Sequence, residues 1–460
     1  MATRHAPEES PVAAPNDIAA RLERLPFSSW HVRARIIIGI ATFFDGFGLL
    51  AITFVLPVLV VAWKLKPQQI GVIISAGFAG ALIGALAAGP LAERYGRLRI
   101  AGITIAIFGV MSVFCGFAWN PESLMVFRFI QGIGLGGEVP IAAAYISEIA
   151  RAKSRGRFFA IYELVFPLGL LGTALLGYWL VPRFGWQMMF WIGAAPAALI
   201  FFLRRMLPES PRWLVSKGRY KEADEIVSAV ERKTMVACNL PPAAATETLP
   251  PAGAQKSRWL EIFEGIYLKR TLVVWVLWIA CYMTNYGLIT WLPTLYRSLF
   301  HLPLSTALGY GLITQSVGFV GSMTCALVID YVGRKLWFTI AYFGAAGSLY
   351  SLWFFGTASA TAVLICASAS FFFIGSIALI LYLYTSELYP TRIRAFGCSI
   401  ASGWLRLAST IGPILVGVIV ARHGVRPVFV LFGTIALAGG LVAMIGSTET
   451  KGQVLEQLSP

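Results

Sequence analysis

Long apolar runs recur along almost the whole chain, and they constrain its fold more than any other feature. Each run is near the ~20 residues that an α-helix needs to cross the ~30 Å hydrocarbon layer of a bilayer. Because unpaired backbone groups are costly in lipid, such runs are expected to be transmembrane helices. Twelve spans are predicted: 35–61, 68–91, 100–118, 121–148, 157–182, 185–205, 270–298, 305–330, 337–356, 361–385, 396–421 and 426–447.

Composition and charge agree with a chain embedded in lipid. Of the 460 residues, 57% are hydrophobic and 13% are charged, and the mean hydropathy is +0.73. The formal charge of +15 does not indicate nucleic-acid binding, because most Lys and Arg residues collect in the predicted loops on one side. Basic residues of this kind mark the cytoplasmic side. We therefore predict a multi-pass protein of the cell (inner) membrane, with both termini in the cytoplasm and no nucleic-acid partner.

A polar stretch divides the spans into two groups of six. It is rich in charge and proline, and it is predicted to hold one surface helix at Tyr220–Val236, where apolar residues recur at helical spacing. The residues before the first span are expected to be disordered. The predicted organisation is a cytoplasmic N-terminal tail (1–34), an N-terminal six-helix bundle (35–205), a central cytoplasmic loop (206–269), a C-terminal six-helix bundle (270–447) and a cytoplasmic C-terminal tail (448–460).

The two groups of spans repeat each other's motifs. Glu93–Arg97 after span 2 recurs as Asp330–Lys335 after span 8, and Tyr145–Glu148 recurs as Tyr384–Glu387 at nearly the same offset. Repeated motifs in the same order predict two bundles of the same orientation, related by an axis along the membrane normal. The predicted fold is therefore an all-α polytopic membrane protein with twelve transmembrane helices in two pseudo-symmetric six-helix bundles.

These motifs resemble those of the major facilitator superfamily, and the resemblance covers essentially the whole chain. Gly89–Arg97 resembles the superfamily's loop 2–3 signature, and Arg128–Gly137 and Pro208–Arg212 resemble patterns shared by sugar porters. Phe44–Phe47 and Gly136–Pro140 resemble the metabolite:proton and aromatic acid:proton symporters, which are related to the organic ion transporters. In this fold the substrate site lies near the bilayer midplane. The resemblance implies a transporter, with no enzymatic activity.

Five ionisable residues lie deep in the predicted spans, at Asp45, Arg128, Glu138, Glu163 and Arg406. Charged groups at that depth are costly, and they usually face a cavity, a partner or a proton path. Asp45, with Glu138 or Glu163, is predicted to carry a proton within a charge network that includes Arg128. The alternative is structural: Asp45 would cap a helix or pair with an arginine, and Arg128 and Glu138 would only tie span 4 to its neighbours.

Arg406 is predicted to bind the substrate. No acidic residue lies elsewhere on its span, and a guanidinium matches a carboxylate through two parallel hydrogen bonds. The stretch also resembles the span-11 arginine region of organic anion transporters. The alternative is a salt bridge to an acidic group on another span. Asn285, Tyr286, Gln315 and Tyr382 are predicted to complete the pocket, although aromatic residues are also common at membrane interfaces.

Charged residues cluster at the predicted cytoplasmic ends of the helices. The resemblance implies that such residues form contacts between helices that hold the outward-facing state closed on the inside. The predicted gating residues are Glu93, Arg97, Glu148, Arg155, Asp330, Arg334, Glu387 and Arg394.

The predicted function is proton-coupled uptake of a small organic, preferably aromatic, carboxylate by alternating access. The expected partners are the organic anion, protons and the bilayer, and the chain is expected to work as a monomer. No cofactor or metal is expected, because the sequence has no phosphate-binding loop or metal-ligand cluster. One alternative is a proton-coupled sugar transporter. A further alternative is an organic-cation transporter or drug exporter, in which Asp45 and Glu138 would bind the positive substrate and Arg406 would be structural. Another is a non-transporting receptor on a transporter scaffold.

Overall fold

The computed structural model describes residues 15–26, 28–149, 164–198, 207–235, 259–354 and 359–451, and within them all regular secondary structure is helical. The N-terminal part contains α1 (Pro15–Arg24), α2 (Ser29–Ala62), α3 (Pro67–Tyr95), α4 (Arg97–Gly116), α5 (Pro121–Ile149), α6 (Val165–Phe184) and α7 (Gln187–Gly193). The central part contains α8 (Pro211–Ser216) and α9 (Tyr220–Met235). The C-terminal part contains α10 (Gly265–Ile289), α11 (Leu292–Phe300), α12 (Leu304–Val332), α13 (Arg334–Phe354), α14 (Ala360–Leu388), α15 (Thr391–His423) and α16 (Arg426–Gly446).

Ten helices in the described part of the chain are long and apolar enough to cross a membrane. They are α2 to α6, α10, α12 and α14 to α16, and they coincide with the predicted spans to within several residues. The 21-residue helix α13 lies on the ninth predicted span. The sixth predicted span begins as α7 and is described as far as residue 198. The predicted surface helix of the central stretch is confirmed as α9.

The seventh predicted span, 270–298, is not one continuous helix. It is divided into α10 and α11 at Thr290 and Trp291. Pro293 has no N–H to donate to the carbonyl of Ile289, and its ring clashes with a continuing helix, so α10 ends at Ile289. The hydroxyl of Thr290 instead donates to the carbonyl of Tyr286 (2.6 Å). The break lets α11 take its own direction at the end of the bundle.

The described ends of the chain and the central helices lie on one face of the molecule, here called the terminal face. Helix α1 packs there against α8 and α9, where the guanidinium groups of Arg21 and Arg24 bond to the Glu231 carboxylate at 2.8 and 2.6 Å. Burial disfavours the charge of Glu231, but the hydrogen bonds from both arginines outweigh this effect and lower the pKa of its carboxyl. The prediction of disorder before the first span is therefore wrong for residues 15–24, because apolar positions of α1 are buried among the central helices.

The N-terminal half (α2–α7) and the C-terminal half (α10–α16) meet mainly through α3 against α15 and α6 against α12. Contact is tightest at the face opposite the terminal face, where a Cβ on Gly71 would lie 2.7 Å from the carbonyl oxygen of Pro413. Nearby, the hydroxyl of Ser75 donates to the carbonyl of Thr410 (2.6 Å), which is a hydrogen bond between the halves. The halves are thus sealed at the opposite face.

Candidate functional site

A cavity of about 110 Å³ lies between the two halves, near the middle of the helices. The N-terminal half contributes Thr42 of α2 and an apolar wall from α5 and α6 that includes Phe166 and Leu170. The C-terminal half contributes most of the polar and aromatic groups, from α10, α12, α14 and α15. A small, mostly apolar cavity with a few convergent polar groups is the usual form of a site for a small organic ligand.

Among the described residues that line this cavity, Arg406 alone carries a charge. Its side chain comes from the middle of α15 and is 8% exposed. Within the described residues its guanidinium forms no hydrogen bond or salt bridge, so the predicted alternative of a salt bridge to another span is not formed there. A buried guanidinium is stabilised by an acceptor, and an anion in the cavity would provide one.

Asp45 lies on α2, three residues after Thr42, and is 1% exposed. It is not among the residues that line the cavity, but its charge interacts with that of Arg406, which does line it. Neither carboxylate oxygen has a hydrogen-bond partner in the described part of the chain. Tyr286 lies in the field of both charges and packs its ring 4.9 Å from that of Phe78, on the other half.

The other four residues predicted to bind substrate, Asn285, Tyr286, Gln315 and Tyr382, also line the cavity. Their common placement was expected from the sequence, and their role in binding stays a prediction. Tyr282 extends the aromatic wall, because its ring stacks on that of Tyr286 at 6.1 Å with an interplanar angle of 15°. Such a wall suits a planar ring.

Trp291 is a buried residue at the break between α10 and α11. It is 2% exposed and does not line the cavity. Its indole N–H donates to the carbonyl of Pro413 (3.2 Å) and so ties the break between α10 and α11 to α15.

Thr42 connects the cavity to Glu138. The hydroxyl of Thr42 lies 3.3 Å from Glu138 Oε1 and 3.3 Å from the carbonyl oxygen of Ile38, on its own helix. Sequence reasoning missed Thr42, although its position one helical turn before Asp45 was a usable signal. Glu138 is 5% exposed and lies on α5 among glycines whose lack of side chains lets α3 and α4 approach closely.

Arg128 is completely buried on α5 and is held by neutral acceptors. Its Nη1 donates to the carbonyl of Gly48 (2.9 Å) and to Gln131 Oε1 (2.8 Å). Within the described residues, Arg128 forms no hydrogen bond or ion pair with Asp45 or Glu138. The predicted charge network of these three residues is therefore not joined through Arg128. Glu163, the fourth residue predicted for proton coupling, lies outside the described residues.

Four of the predicted gating residues form matching ion pairs, one pair in each half. On the terminal face Arg97 pairs with Glu148 at 3.1 Å, and Arg334 pairs with Glu387 at 3.0 Å. Both pairs lie within a half. Asp330 also pairs with Arg334, at 2.9 Å.

The remaining gating residues make backbone contacts or lie outside the described residues. Arg394 donates to the carbonyl of Tyr389 (3.2 Å), and the carbonyl of Glu93 accepts from the indole of Trp213 (2.8 Å). Arg155 lies outside the described residues.

A second carboxylate supports each of these pairs, and its role was not predicted. Glu209 accepts from the backbone N–H of Arg97 (3.1 Å), and Glu449 accepts from that of Arg334 (2.9 Å). Burial opposes the charge of Glu449, but hydrogen bonds from four backbone N–H groups outweigh it and hold the pKa of its carboxyl below the ordinary value. The motif repeat predicted from the sequence is therefore also a repeat of contacts.

Comparison with known proteins agrees with the geometry. The family model described as "Sugar (and other) transporter" matches residues 36–460. The chain is 35% identical over 445 residues to the niacin transporter NiaP of Acinetobacter baylyi, covering 96% of this chain and 99% of the relative. It is 28% identical over 411 residues to the 4-hydroxybenzoate transporter PcaK of the same organism, covering 87% and 88%.

A solved structure shares the fold. The xylose transporter XylE from E. coli, in a partially occluded inward-open conformation, superposes with a TM-score of 0.73 at 19% identity, covering 93% of this chain and all of that one. The family match spans most of the chain, and the twelve-helix arrangement is that of the major facilitator superfamily. The chain therefore belongs to the sugar (and other) transporter family of the major facilitator superfamily, and it is a multi-pass membrane transporter.

Proposed function

We propose that this transporter imports a small aromatic monocarboxylate together with a proton, by alternating access across the cell (inner) membrane. The observation that carries the proposal is Arg406, a buried guanidinium without a hydrogen bond or salt bridge in the described residues, facing an aromatic-lined cavity between the halves. The described lining of the cavity comes from both halves of one chain, which supports function as a monomer.

The size and walls of the cavity favour a single ring that carries one carboxylate. Its volume of about 110 Å³ is of the same order as the ~150 Å³ cavity that holds benzene in another protein. Arg406 would hold the carboxylate through two hydrogen bonds, while Tyr282 and Tyr286 would face the ring. The relatives named for niacin and 4-hydroxybenzoate transport support this substrate class, since both names denote ring compounds with a carboxylate.

Asp45 provides a reason for proton coupling. When ionised in the empty site, the carboxylate of Asp45 would partly balance the charge of Arg406, because the two charges interact. When a substrate carboxylate takes over that role, protonation of Asp45 keeps the net charge of the site unchanged. Moving an uncompensated anion inward would cost ~2.3 kcal/mol per 100 mV of inside-negative potential, and the co-transported proton removes this cost.

Glu138 and Thr42 are proposed to pass the proton onward from Asp45. Thr42 lies between the cavity and Glu138, and its hydroxyl both donates and accepts. Glu163 keeps its predicted part in proton transfer as a proposal from the sequence alone.

The positive-inside rule supports a cytoplasmic terminal face, because the sequence puts most Lys and Arg residues in the tails and loops predicted for that side. The sealed face would then be the outer one, and the described conformation would be inward-facing. Arg97 and Arg334 pair within their own halves here. We infer that these groups gain partners across the halves in the outward-facing state.

Uptake by the purified protein in proteoliposomes tests this proposal. An inward acid gradient is expected to drive accumulation of labelled benzoate or nicotinate, and Arg406→Ala is expected to abolish it. Arg219→Ala is the matched control, because Arg219 is an exposed arginine paired with Glu222 on the terminal face. Accumulation of an organic cation or a sugar, with benzoate excluded, would instead favour the alternative substrates.

A further inference from the structure

A second polar cavity opens at the sealed face, away from the central cavity. It has a volume of about 300 Å³ and lies between the end of α2 and helix α11. Pro57, Val60 and Val61 form one wall, from the N-terminal half. The other wall belongs to the C-terminal half and comprises Thr294, Arg297, Ser298, His301 and Leu302. The cavity therefore exists where the two halves meet.

Two residues that line this cavity each carry a buried polar atom that lacks a partner in the described part of the chain. Thr294 is 2% exposed, and its hydroxyl makes no hydrogen bond. Nη1 of Arg297, one turn further along α11, is also buried without an acceptor. Unmet donors of this kind cost free energy unless a ligand supplies acceptor oxygens. A guanidinium beside a hydroxyl matches the two oxygens of a carboxylate.

The electrostatic surroundings at this face also favour an anion. In the described residues the helix ends at this face carry one acidic side chain, Glu122, at the start of α5. The basic side chains at the same face are Lys64, Lys66, Arg183, Arg297, Arg422 and Arg426. An excess of one sign of charge around a cleft raises the local concentration of the opposite ion.

We propose that this outer cavity is a second binding site for an organic monocarboxylate. The carboxylate accepts hydrogen bonds from Arg297 and Thr294, and the organic group lies on Pro57, Val60 and Leu302. An inorganic anion would use the donors but leave the apolar wall exposed, so the wall favours an organic ligand. The site shares no residue with the central cavity, and it stands whether or not Arg406 binds substrate.

Occupancy of this site has a consequence for transport. Its walls come from different halves, so they separate when the sealed face opens. A ligand that binds only the closed arrangement shifts the equilibrium toward it. Excess carboxylate on that side therefore slows the return of the transporter to the open state, which appears as inhibition of uptake at high substrate concentration.

Photolabelling of the full-length protein in nanodiscs with 4-azidobenzoate tests the site, with labelled peptides identified by mass spectrometry. Labelling of the 292–302 segment is expected in the wild type and in Arg406→Ala. It should fall at least about tenfold in Arg297→Gln and persist in Arg183→Gln, a basic residue at the same face outside the cavity. Thr294→Val, which keeps the side-chain shape, should also reduce labelling, and it keeps the test valid if Arg297→Gln does not fold.

Three results would overturn the proposal. They are equal labelling of the segment by the uncharged 4-azidobenzamide, labelling unchanged by both Arg297→Gln and Thr294→Val, and complete competition by an equal concentration of chloride, which would identify an inorganic anion site. Loss of central labelling in Arg406→Ala with outer labelling intact supports both sites. Persistence of central labelling in Arg406→Ala counts only against the central assignment.

Uptake assays test the proposed inhibition. The decline of the uptake rate at high benzoate concentration should disappear in Arg297→Gln and remain in Arg183→Gln. A decline that remains in both variants contradicts the proposed inhibition.

Discussion

Asp45 of α2 and Arg406 of α15 lie on opposite halves of the transporter, and their charges interact without a salt bridge within 4 Å in the described residues. Each group keeps hydrogen-bonding capacity: the Asp45 carboxylate lacks a hydrogen-bond partner in the described part of the chain, and Arg406 faces the cavity. A direct salt bridge would satisfy both groups and leave little reason for an anion to enter. The observed arrangement instead leaves room for a carboxylate beside Arg406.

Replacing Asp45 tests proton coupling separately from binding. Asp45→Asn removes the titratable group at nearly constant volume, so the site should still bind and exchange substrate. We expect counterflow exchange of labelled benzoate in proteoliposomes to persist, while accumulation driven by an acid gradient falls to the equilibrium level. Accumulation that survives the change would assign proton coupling to another residue.

Replacing Thr42 tests the proposed proton route. Thr42→Val removes the hydroxyl that contacts Glu138. A buried hydrogen bond contributes ~0.5–1.5 kcal/mol, and a barrier raised by that amount should slow gradient-driven uptake several-fold. Thr53→Val is the matched control, because Thr53 is 1% exposed on the same helix and its hydroxyl has no partner within the described residues. Equal effects of the two changes on initial rates would contradict the route.

The spans were predictable because lipid imposes a length and an apolar composition on every crossing helix. Two features of the fold were predicted wrongly, the continuous seventh span and the disorder before the first span, and both had signals in the sequence. Pro293 marked the break after α10, and the apolar residues Ile18, Leu22 and Leu25, which recur at helical spacing and are buried, marked α1.

Site residues that act through their side chains could be predicted from the sequence, whereas contacts made by backbone atoms could not. A lone arginine on an otherwise uncharged stretch of span indicated Arg406, and its companions on α10, α12 and α14 followed from polarity. The partner of Arg128 could not be found this way, because the carbonyl of Gly48 leaves no trace in the residue types. The three-dimensional packing likewise decides which charge Asp45 meets, and in the structure its carboxylate interacts with the charge of Arg406 on the other half.

The loop motif of the N-terminal half should depend on Gly96. This residue has φ +110°, and a Cβ there would lie 2.6 Å from a Glu209 oxygen. Gly96→Ala should lower stability by ~1–3 kcal/mol, measured as a lower Tm in detergent. Gly89→Ala, in the preceding helix α3 with open space around it, should change the Tm little. A Tm that is equal for the two variants would show that the backbone conformation is not required.

The matching motif of the C-terminal half should be sensitive to pH through Glu449. Because the pKa of this carboxyl is lowered in the folded protein, its contribution is complete above the unfolded pKa of ~4.3 and is lost as the pH falls through the folded value. Glu449→Gln should therefore lower the Tm by a few degrees at neutral pH, and the difference from wild type should narrow in acid. Glu222→Gln, at an exposed surface pair, should show little change at any pH. A difference that stays constant down to low pH would contradict this account.

Arg406 is proposed to select a carboxylate. Binding of benzoate compared with that of benzamide, which has a similar shape and no charge, tests this selectivity. Equilibrium dialysis with purified wild-type protein should give at least about tenfold tighter binding of benzoate, and Arg406→Gln should bind the two compounds alike. A variant that keeps the wild-type preference for benzoate would contradict the claim.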